Sequence, residues 1–232
     1  MRHLYDWYLR PGGAYFGAKK ANEPLHVQYS YDDRSVVIVN SFYKPFPGLK
    51  VTAEVYNLDM TTKFSKEAVT GVPEDSATRV FTIPAIDGLS RTYFLNLTLA
   101  DASGPVSHNF YWLSTSPETL DWDQSTWYHT PTKTFADYTA LATLPPPELK
   151  VTSATRQQDA DRITTVTVAN QGKTIAFPVH LKLNKGADGD EVLPVLWQDN
   201  YFTLIPGETR QVTATYRARD LVRATPVVEV AK

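Results

Sequence analysis

Two carboxylates flank an aromatic side chain in a proline-rich stretch of the chain, where Asp121 and Asp123 stand on either side of Trp122. Paired carboxyl groups can supply the acid and the nucleophile or base that hydrolysis of a glycosidic bond requires. Catalytic carboxyl groups need a cleft that perturbs them, and a polar loop also places two aspartates beside a tryptophan without any chemistry. We favour the second interpretation, a solvated loop with one anchoring aromatic side chain.

Other chemistry-bearing patterns are weak. The chain has no cysteine, and its five histidines are scattered without helical or ligand spacing, so neither a thiolate site nor a zinc site is supported. The run Asp-Gly-Asp-Glu at residues 188–191 has some character of a calcium loop, but it lacks the ligand spacing, and a hairpin turn explains the same residues. We expect no metal and no cofactor. The five histidines are His3, His26, His108, His129 and His180.

Several aromatic side chains could stack on a sugar, because the C–H face of a pyranose is apolar while its edge carries hydroxyl groups. The alternative for each is a core or domain anchor, and we favour that alternative. For Trp197, which lies among apolar and aromatic residues, we predict an anchor within the second β-domain or at its interface with the first. The candidates are Tyr5, Trp7, Trp122, Trp127, Trp197 and Tyr201.

Composition excludes some function classes. The 232 residues carry 23 basic and 25 acidic side chains, so the chain lacks the basic surplus that nucleic acid or an anionic membrane surface attracts. We expect neither partner. No apolar run approaches the length that spans a membrane.

The first half of the chain alternates between short apolar runs and turns, as β-sandwiches do. Residues 25–30 and 35–41 predict a hairpin across residues 32–34, and the continuously apolar run at 36–39 predicts a strand buried on both faces. Residues 49–58 predict a strand with alternating faces, broken off from the preceding strand by Lys-Pro-Phe-Pro-Gly at 44–48. Further strands are predicted at residues 78–83, 92–100 and 106–114.

Three consecutive prolines at residues 145–147 form a stiff spacer, and we place a domain boundary there. The stretch 135–144 before it could be a strand or a short helix. The chain is therefore predicted to be mainly β, with two immunoglobulin-like β-sandwich domains at residues 25–146 and 147–232. Strands of the second domain are predicted at residues 149–154, 162–170, 175–183, 210–216 and 227–230.

Residues 1–24 differ from everything that follows. After a Pro-Gly-Gly loop, residues 14–21 predict a short helix with two lysines in its last turn, ended by Asn22 and Pro24. A helix this short is not stable alone, and its many aromatic residues require a large partner surface. We therefore expect the chain to be a piece of a longer protein.

The same stretch carries a family resemblance. The run Tyr-Asp-Trp-Tyr-Leu-Arg-Pro-Gly-Gly-Ala-Tyr-Phe-Gly-Ala-Lys-Lys-Ala at 5–21, followed by Glu-Pro-Leu-His-Val at 23–27, resembles the end of the catalytic (β/α)8 barrel in glycoside hydrolase family 2. Within that family it is similar to the exo-β-D-glucosaminidase and β-mannosidase-like branch. Asn-Tyr-Phe-x-Leu-x-Pro-Gly-Glu at 200–208 resembles the final β-domain of the same branch. The resemblance implies that residues 1–24 are a helical remnant of that barrel.

The resemblance also implies a function. The parent enzyme would hydrolyse a β-linked hexose or hexosamine with retention, and the two β-domains would brace its catalytic barrel. Both catalytic glutamates of the family lie on earlier barrel strands, so we expect no catalytic residue in this chain and no activity of the fragment itself. The partners implied are the barrel of the parent chain and a carbohydrate, in a secreted or periplasmic enzyme. A carbohydrate-binding module and a cell-surface adhesion module remain as alternatives.

The barrel end supplies the candidate site. By resemblance, His3, Tyr5, Asp6 and Trp7 lie where the last barrel strand gives way to its loop, the face on which such barrels bind substrate. The aromatic rings would cover the apolar face of a pyranose. The carboxylate would accept hydroxyl protons or pair with the ammonium of a glucosamine. The alternative is that the aromatic residues only pack the last barrel helix.

Overall fold

A computed structural model of the chain describes residues 4–231. The chain divides into two compact units, of which one comprises Asn22–Leu144 and the other joins the chain before Asn22 to the chain from Pro145 onward. We call them the first sandwich and the second sandwich. Strands dominate both units, which confirms the prediction of a mainly β chain.

The first sandwich contains two antiparallel sheets, ordered β1-β2-β5 and β4-β3-β6-β7, and a two-stranded ribbon, β8-β9. A short 3₁₀ helix at Thr139–Thr143 follows the ribbon, within the stretch that the sequence left open between strand and helix. The strands are β1 (Leu25–Tyr29), β2 (Ser35–Asn40), β3 (Phe46–Asn57), β4 (Thr62–Val72), β5 (Ser76–Thr82), β6 (Thr92–Asp101), β7 (Gly104–Ser114), β8 (Thr119–Leu120) and β9 (Thr132–Thr134).

The core of the first sandwich lies between its two larger sheets. Val36 and Ile38 on β2 are fully buried, as are Val51 and Ala53 on β3, and these side chains belong to one apolar cluster. The predicted hairpin across residues 32–34 is confirmed, with Ser35 donating its amide to the Asp33 carboxylate at 3.0 Å. Burial of apolar side chains between sheets supplies the main driving force for this unit.

Three strands of the first sandwich were not predicted, namely β4 and the two short strands of the ribbon, β8 and β9. β4 is the edge strand next to β3, and most of its side chains are exposed or half-exposed. Its sequence mixes Lys63, Lys66 and Glu67 with few buried apolar residues, so the alternation that reveals a half-buried strand is weak. β3 also begins earlier than expected, at Phe46, with an irregular register between Phe46 and Leu49.

The second sandwich contains a four-stranded sheet, β10-β11-β16-β14, and two antiparallel pairs, β12-β15 and β13-β17. A 3₁₀ helix occupies Ala218–Leu221, and the helix α1 (Gly13–Ala21) belongs to this unit. The strands are β10 (Leu149–Gln158), β11 (Asp161–Asn170), β12 (Ala176–Val179), β13 (Leu181–Lys185), β14 (Leu196–Trp197), β15 (Phe202–Leu204), β16 (Thr209–Arg217) and β17 (Pro226–Val230).

Helix α1 confirms the short helix expected after the Pro-Gly-Gly loop. The helix packs against the second sandwich. Phe16 is 5% exposed and joins the core of the second sandwich together with Trp197 and Phe202. Lys19 Nζ donates to the carbonyl oxygen of Gln198 at 2.6 Å. The second sandwich therefore supplies a surface that covers the helix.

Trp197 is buried in the core of the second sandwich, with 6% of its surface exposed. It pairs with Ala214 of the neighbouring strand β16. The predicted anchor is thus confirmed, and the sugar-stacking alternative is excluded for this residue because its ring faces the core.

Limited proteolysis is expected to cut the chain first within residues 115–147, since Trp127 is 94% exposed there and Phe135 is 79% exposed. Chymotrypsin, which cleaves after aromatic residues, should cut after Trp127 early and after the buried Trp197 only when the second sandwich unfolds. Mass spectrometry of the early products measures this. Early cuts inside β6 or β11 would contradict the division of the chain at Leu144 and Pro145.

Candidate functional site

The candidate residues lie on a small hairpin that precedes α1, and we call residues 4–12 the N-terminal hairpin. Tyr5 and Pro11 form an isolated antiparallel bridge. The amide of Asp6 donates to the carbonyl of Arg10 at 3.1 Å, and the amide of Gly12 donates to the carbonyl of Leu4 at 3.2 Å. Tyr5, Asp6 and Trp7 therefore sit on one ordered turn, whereas the fourth candidate, His3, lies outside the described residues.

The carboxylate of Asp6 closes the turn of the N-terminal hairpin. Its Oδ1 accepts the amides of Tyr8 and Arg10, each at 2.9 Å, and its Oδ2 lies 3.2 Å from Nη1 of Arg10. A short polar side chain that satisfies nearby backbone donors is a common way to stabilise a turn. Much of the hydrogen-bonding capacity that we expected Asp6 to offer a sugar is thus engaged within the hairpin.

Arg10 ties the N-terminal hairpin to the second sandwich. Its Nη2 and Nε lie 2.7 Å and 2.9 Å from Oε2 of Glu191, whose side chain is only 14% exposed. The hydrogen bond to Glu191 raises the pKa of the Arg10 guanidinium above its ordinary value. One guanidinium thus bridges two carboxylates, those of Asp6 and Glu191.

A row of aromatic rings continues from the hairpin into the core of the second sandwich. The ring centroids of Tyr5 and Tyr15 are 5.0 Å apart, those of Tyr15 and Phe16 also 5.0 Å, and those of Phe16 and Tyr201 6.0 Å. The ring of His180 stacks on Tyr201 at 4.2 Å, and its burial lowers the pKa of the imidazole. Such contacts between rings fix their relative orientation.

An open concavity of about 700 Å³ lies against the hairpin, within the size range of small-molecule sites. Trp7 stands at its edge with 92% of its surface exposed, and Tyr5 is 45% exposed. The exposed apolar area of these rings is available to a ligand or to another part of a longer protein. The lining residues are Leu4, Tyr5, Asp6, Trp7, Arg10, Pro11, Gly12 and Tyr201.

The carboxylate pair at Asp121 and Asp123 lies in the loop between β8 and β9, not in a cleft. Trp122 between them is 71% exposed, and the amide of Gln124 donates to Asp121 at 3.3 Å. The loop is held by its own backbone hydrogen bonds, such as the amide of Asp121 to the carbonyl of Pro131 at 2.8 Å. This environment agrees with the interpretation of a solvated loop.

The acidic run at residues 188–191 forms a turn after β13. The amide of Lys185 donates to the carbonyl of Asp190 at 2.9 Å, and a Cβ on Gly189 would collide with the carbonyl oxygen of Lys185. The turn thus requires glycine at that position. Within residues 4–231, no set of three or more His, Asp or Glu side chains converges as a metal site would require.

Sequence reasoning missed Arg10 and Glu191, which the structure adds to the candidate site. The two residues are 181 positions apart, and no local pattern relates them. The sequence signal at Glu191 is its acidic neighbourhood, which has some character of a calcium loop.

Comparison with known proteins identifies the family. The profile of the exo-β-D-glucosaminidase Ig-fold domain matches residues 127–232, and that of the mannosidase Ig/CBM-like domain matches residues 32–116. An exo-β-D-glucosaminidase of Streptomyces avermitilis is 47% identical over 98% of this chain. The chain is similar to part of the exo-β-D-glucosaminidases of glycoside hydrolase family 2. It corresponds to their immunoglobulin-like accessory region, which confirms the resemblance and does not favour an independent binding or adhesion module.

Two further relatives agree with this family. An exo-β-D-glucosaminidase of Amycolatopsis orientalis is 45% identical over 98% of the chain. The crystal structure of the exo-chitosanase CsxA from the same organism matches 99% of the chain at 44% identity, with a TM-score of 0.92. The chain spans 26% and 22% of the two exo-β-D-glucosaminidases and 28% of the chain in the crystal structure, so it covers about a quarter of its relatives.

No helix within residues 4–231 is both long enough and apolar enough to cross a membrane.

Proposed function

We propose that this chain is the accessory region of a longer retaining β-glycosidase, in which the two sandwiches brace a catalytic barrel. The observation that carries the proposal is the match of nearly the whole chain to about a quarter of the exo-β-D-glucosaminidases. The boundaries at residues 24 and 146 and the assignment of α1 as the last barrel helix are parts of this proposal. The order of a helix followed by two β-domains supports them.

We propose a terminal β-linked glucosamine as the substrate of the parent enzyme. The names of the relatives support this choice over the wider class of hexoses, since they act as exo-β-D-glucosaminidase or exo-chitosanase. The sugar carries an ammonium group, and an acidic environment near its binding site would favour that charge. A secreted or periplasmic location of the parent enzyme is compatible with a polymeric substrate.

In this proposal Tyr5 and Trp7 contact the sugar through their rings, and His3 lies beside them in the chain. The exposed ring of Trp7 at the edge of the concavity supports a stacking role. Asp6 has a different place from the one first expected, because its carboxylate accepts two backbone amides. Asp6 therefore holds the turn that carries Trp7. A contact between Asp6 and the ammonium group of the sugar would use Oδ2, because Oδ1 already accepts two amides.

The chain alone is expected to show no glycosidase activity, because the two catalytic glutamates implied by the family lie on barrel strands outside it. Incubation of the purified chain with aryl β-glycosides of glucosamine, mannose and galactose measures this, with the full-length enzyme as the positive control. The matched variant is Asp121→Asn/Asp123→Asn. Turnover that follows the purified chain and disappears in that variant would contradict the proposal.

A further inference from the structure

We propose that the second sandwich sets the position of the N-terminal hairpin, which makes Glu191 and Tyr201 positioning residues for substrate binding by Tyr5 and Trp7. The inference rests on the proposed function for its substrate, and it adds a task beyond bracing. The geometry points to two anchors, an ion pair at one side of the hairpin and a pinned aromatic ring at the other.

The hairpin does not have enough contacts of its own to fix its position. It is held by one bridge, a few backbone hydrogen bonds and the Asp6 carboxylate, and most of its side chains are exposed. An isolated hairpin of this size is at best marginally stable in water. The position of Trp7 therefore depends on what the hairpin is attached to.

Glu191 is the first anchor, and its backbone is fixed. It forms a bridge to Asn184 of β13, and the neighbouring amide of Val192 donates to the carbonyl of Leu183 at 2.7 Å. Both Nε and Nη2 of Arg10 reach the same carboxylate oxygen. Two charge-assisted hydrogen bonds to a largely buried carboxylate restrict the guanidinium more than a surface ion pair would.

Tyr201 is the second anchor, and its ring has little freedom. Its backbone adopts a left-handed conformation with φ of 55°, while the buried Asn200 accepts the amides of Tyr201 and Leu181 at 2.9 Å and 2.8 Å. The ring is stacked on His180 and lies 3.7 Å from the position that a Cβ on Gly13 would occupy. The ring of Tyr201 therefore packs against the junction between the hairpin and α1, and it also lines the concavity.

The first experiment measures how well the N-terminal hairpin is ordered in the chain itself. Glu191→Gln removes the charge at nearly constant shape, and hydrogen exchange of the Tyr8 and Arg10 amides, which both donate to Asp6, reports the order of the turn. We expect exchange to accelerate at least about fivefold in Glu191→Gln, since local opening governs it. Arg217→Gln, which breaks a 3.1 Å ion pair with Asp161 on the same sandwich, is the matched control and should leave both amides unchanged.

The second experiment measures the consequence in the full-length enzyme with an aryl β-glucosaminide. We expect Glu191→Gln to raise KM roughly tenfold with kcat within about twofold, because displaced ring contacts weaken binding without touching the reacting groups. Glu191→Asp, which keeps the charge, should recover part of the lost affinity. Tyr201→Leu should raise KM in the same direction, and Arg217→Gln should not.

The outcomes separate the inference from the proposed function. Unchanged amide exchange in Glu191→Gln overturns the inference, and so does faster exchange without any rise of KM. A lower melting temperature with unchanged kinetics would mean that the ion pair is only structural, which also overturns it. If the full-length enzyme hydrolyses no β-glycoside, the proposed function fails, while the exchange measurement still decides whether Glu191 holds the hairpin.

Discussion

Trp197→Ala is expected to lower the free energy of unfolding of the second sandwich by about 3–5 kcal/mol, the usual cost of truncating a buried tryptophan. The side chain is 6% exposed and belongs to the cluster that contains Phe16 and Phe202. Its removal would leave a cavity beneath α1 as well as between the sheets, and surrounding side chains can only partly fill such a space. Urea unfolding followed by circular dichroism measures the change.

The matched control is Trp127→Ala, the same substitution at a side chain that is 94% exposed. Exposed substitutions that break no particular contact usually stay within about 0.5 kcal/mol. Equal effects of the two substitutions, or an unchanged melting temperature in Trp197→Ala, would contradict the burial of Trp197. The pair also tests the choice of Trp197 over Trp127 as an anchor, since both were candidates for sugar stacking.

Trp7→Ala in the full-length enzyme is expected to lower kcat/KM on a β-glucosaminide by about tenfold to a hundredfold. The ring is exposed at the edge of the concavity in this chain, so its loss removes a platform for the sugar. Steady-state kinetics and thermal unfolding are measured on the same preparation. Loss of activity with folding intact supports the contact.

Two variants control for this result. Trp122→Ala removes another exposed tryptophan, 71% exposed in the loop between β8 and β9, and should leave kcat/KM unchanged. Asp6→Asn retains an oxygen that can accept the amides of Tyr8 and Arg10 and removes the charge that faces Arg10. Unchanged kinetics of Trp7→Ala on every substrate would end the proposal that this residue binds sugar, and reduced stability alone would show that the ring packs the barrel end.

Much of the fold could be predicted because its strands bury one face. Val51, Ala53 and Val55 on β3 alternate with polar residues, and all three are buried. The edge strand β4 escaped prediction for the same physical reason, since an edge strand buries little and keeps charged residues that discourage pairing with other chains. Patterning therefore reveals strands that bury one face, such as β3, and conceals β4, which buries little.

The candidate site was predicted less completely. The aromatic residues of the hairpin stood out in the sequence, and the family resemblance gave Tyr5 and Trp7 a role. The role of Asp6 in the turn could have been predicted from the sequence, because an aspartate commonly accepts hydrogen bonds from backbone amides a few residues later in the chain. The pairing of Arg10 with Glu191 could not, because tertiary structure alone brings together two residues so far apart in sequence.

The packing of α1 has a consequence for the order in which the chain folds during synthesis. Among the described residues, the apolar cluster that covers Phe16 of the helix is built from strands and loops that begin at Leu149. Because the ribosome adds about 5–20 residues per second, the partner strands emerge on the order of 10 s after the helix. The intervening first sandwich has all its own strands by then and can fold first. The helix can therefore pack only after these later strands have been synthesised. This contact is non-local and closes a long loop, and the entropy cost of closing the loop slows the docking of the helix.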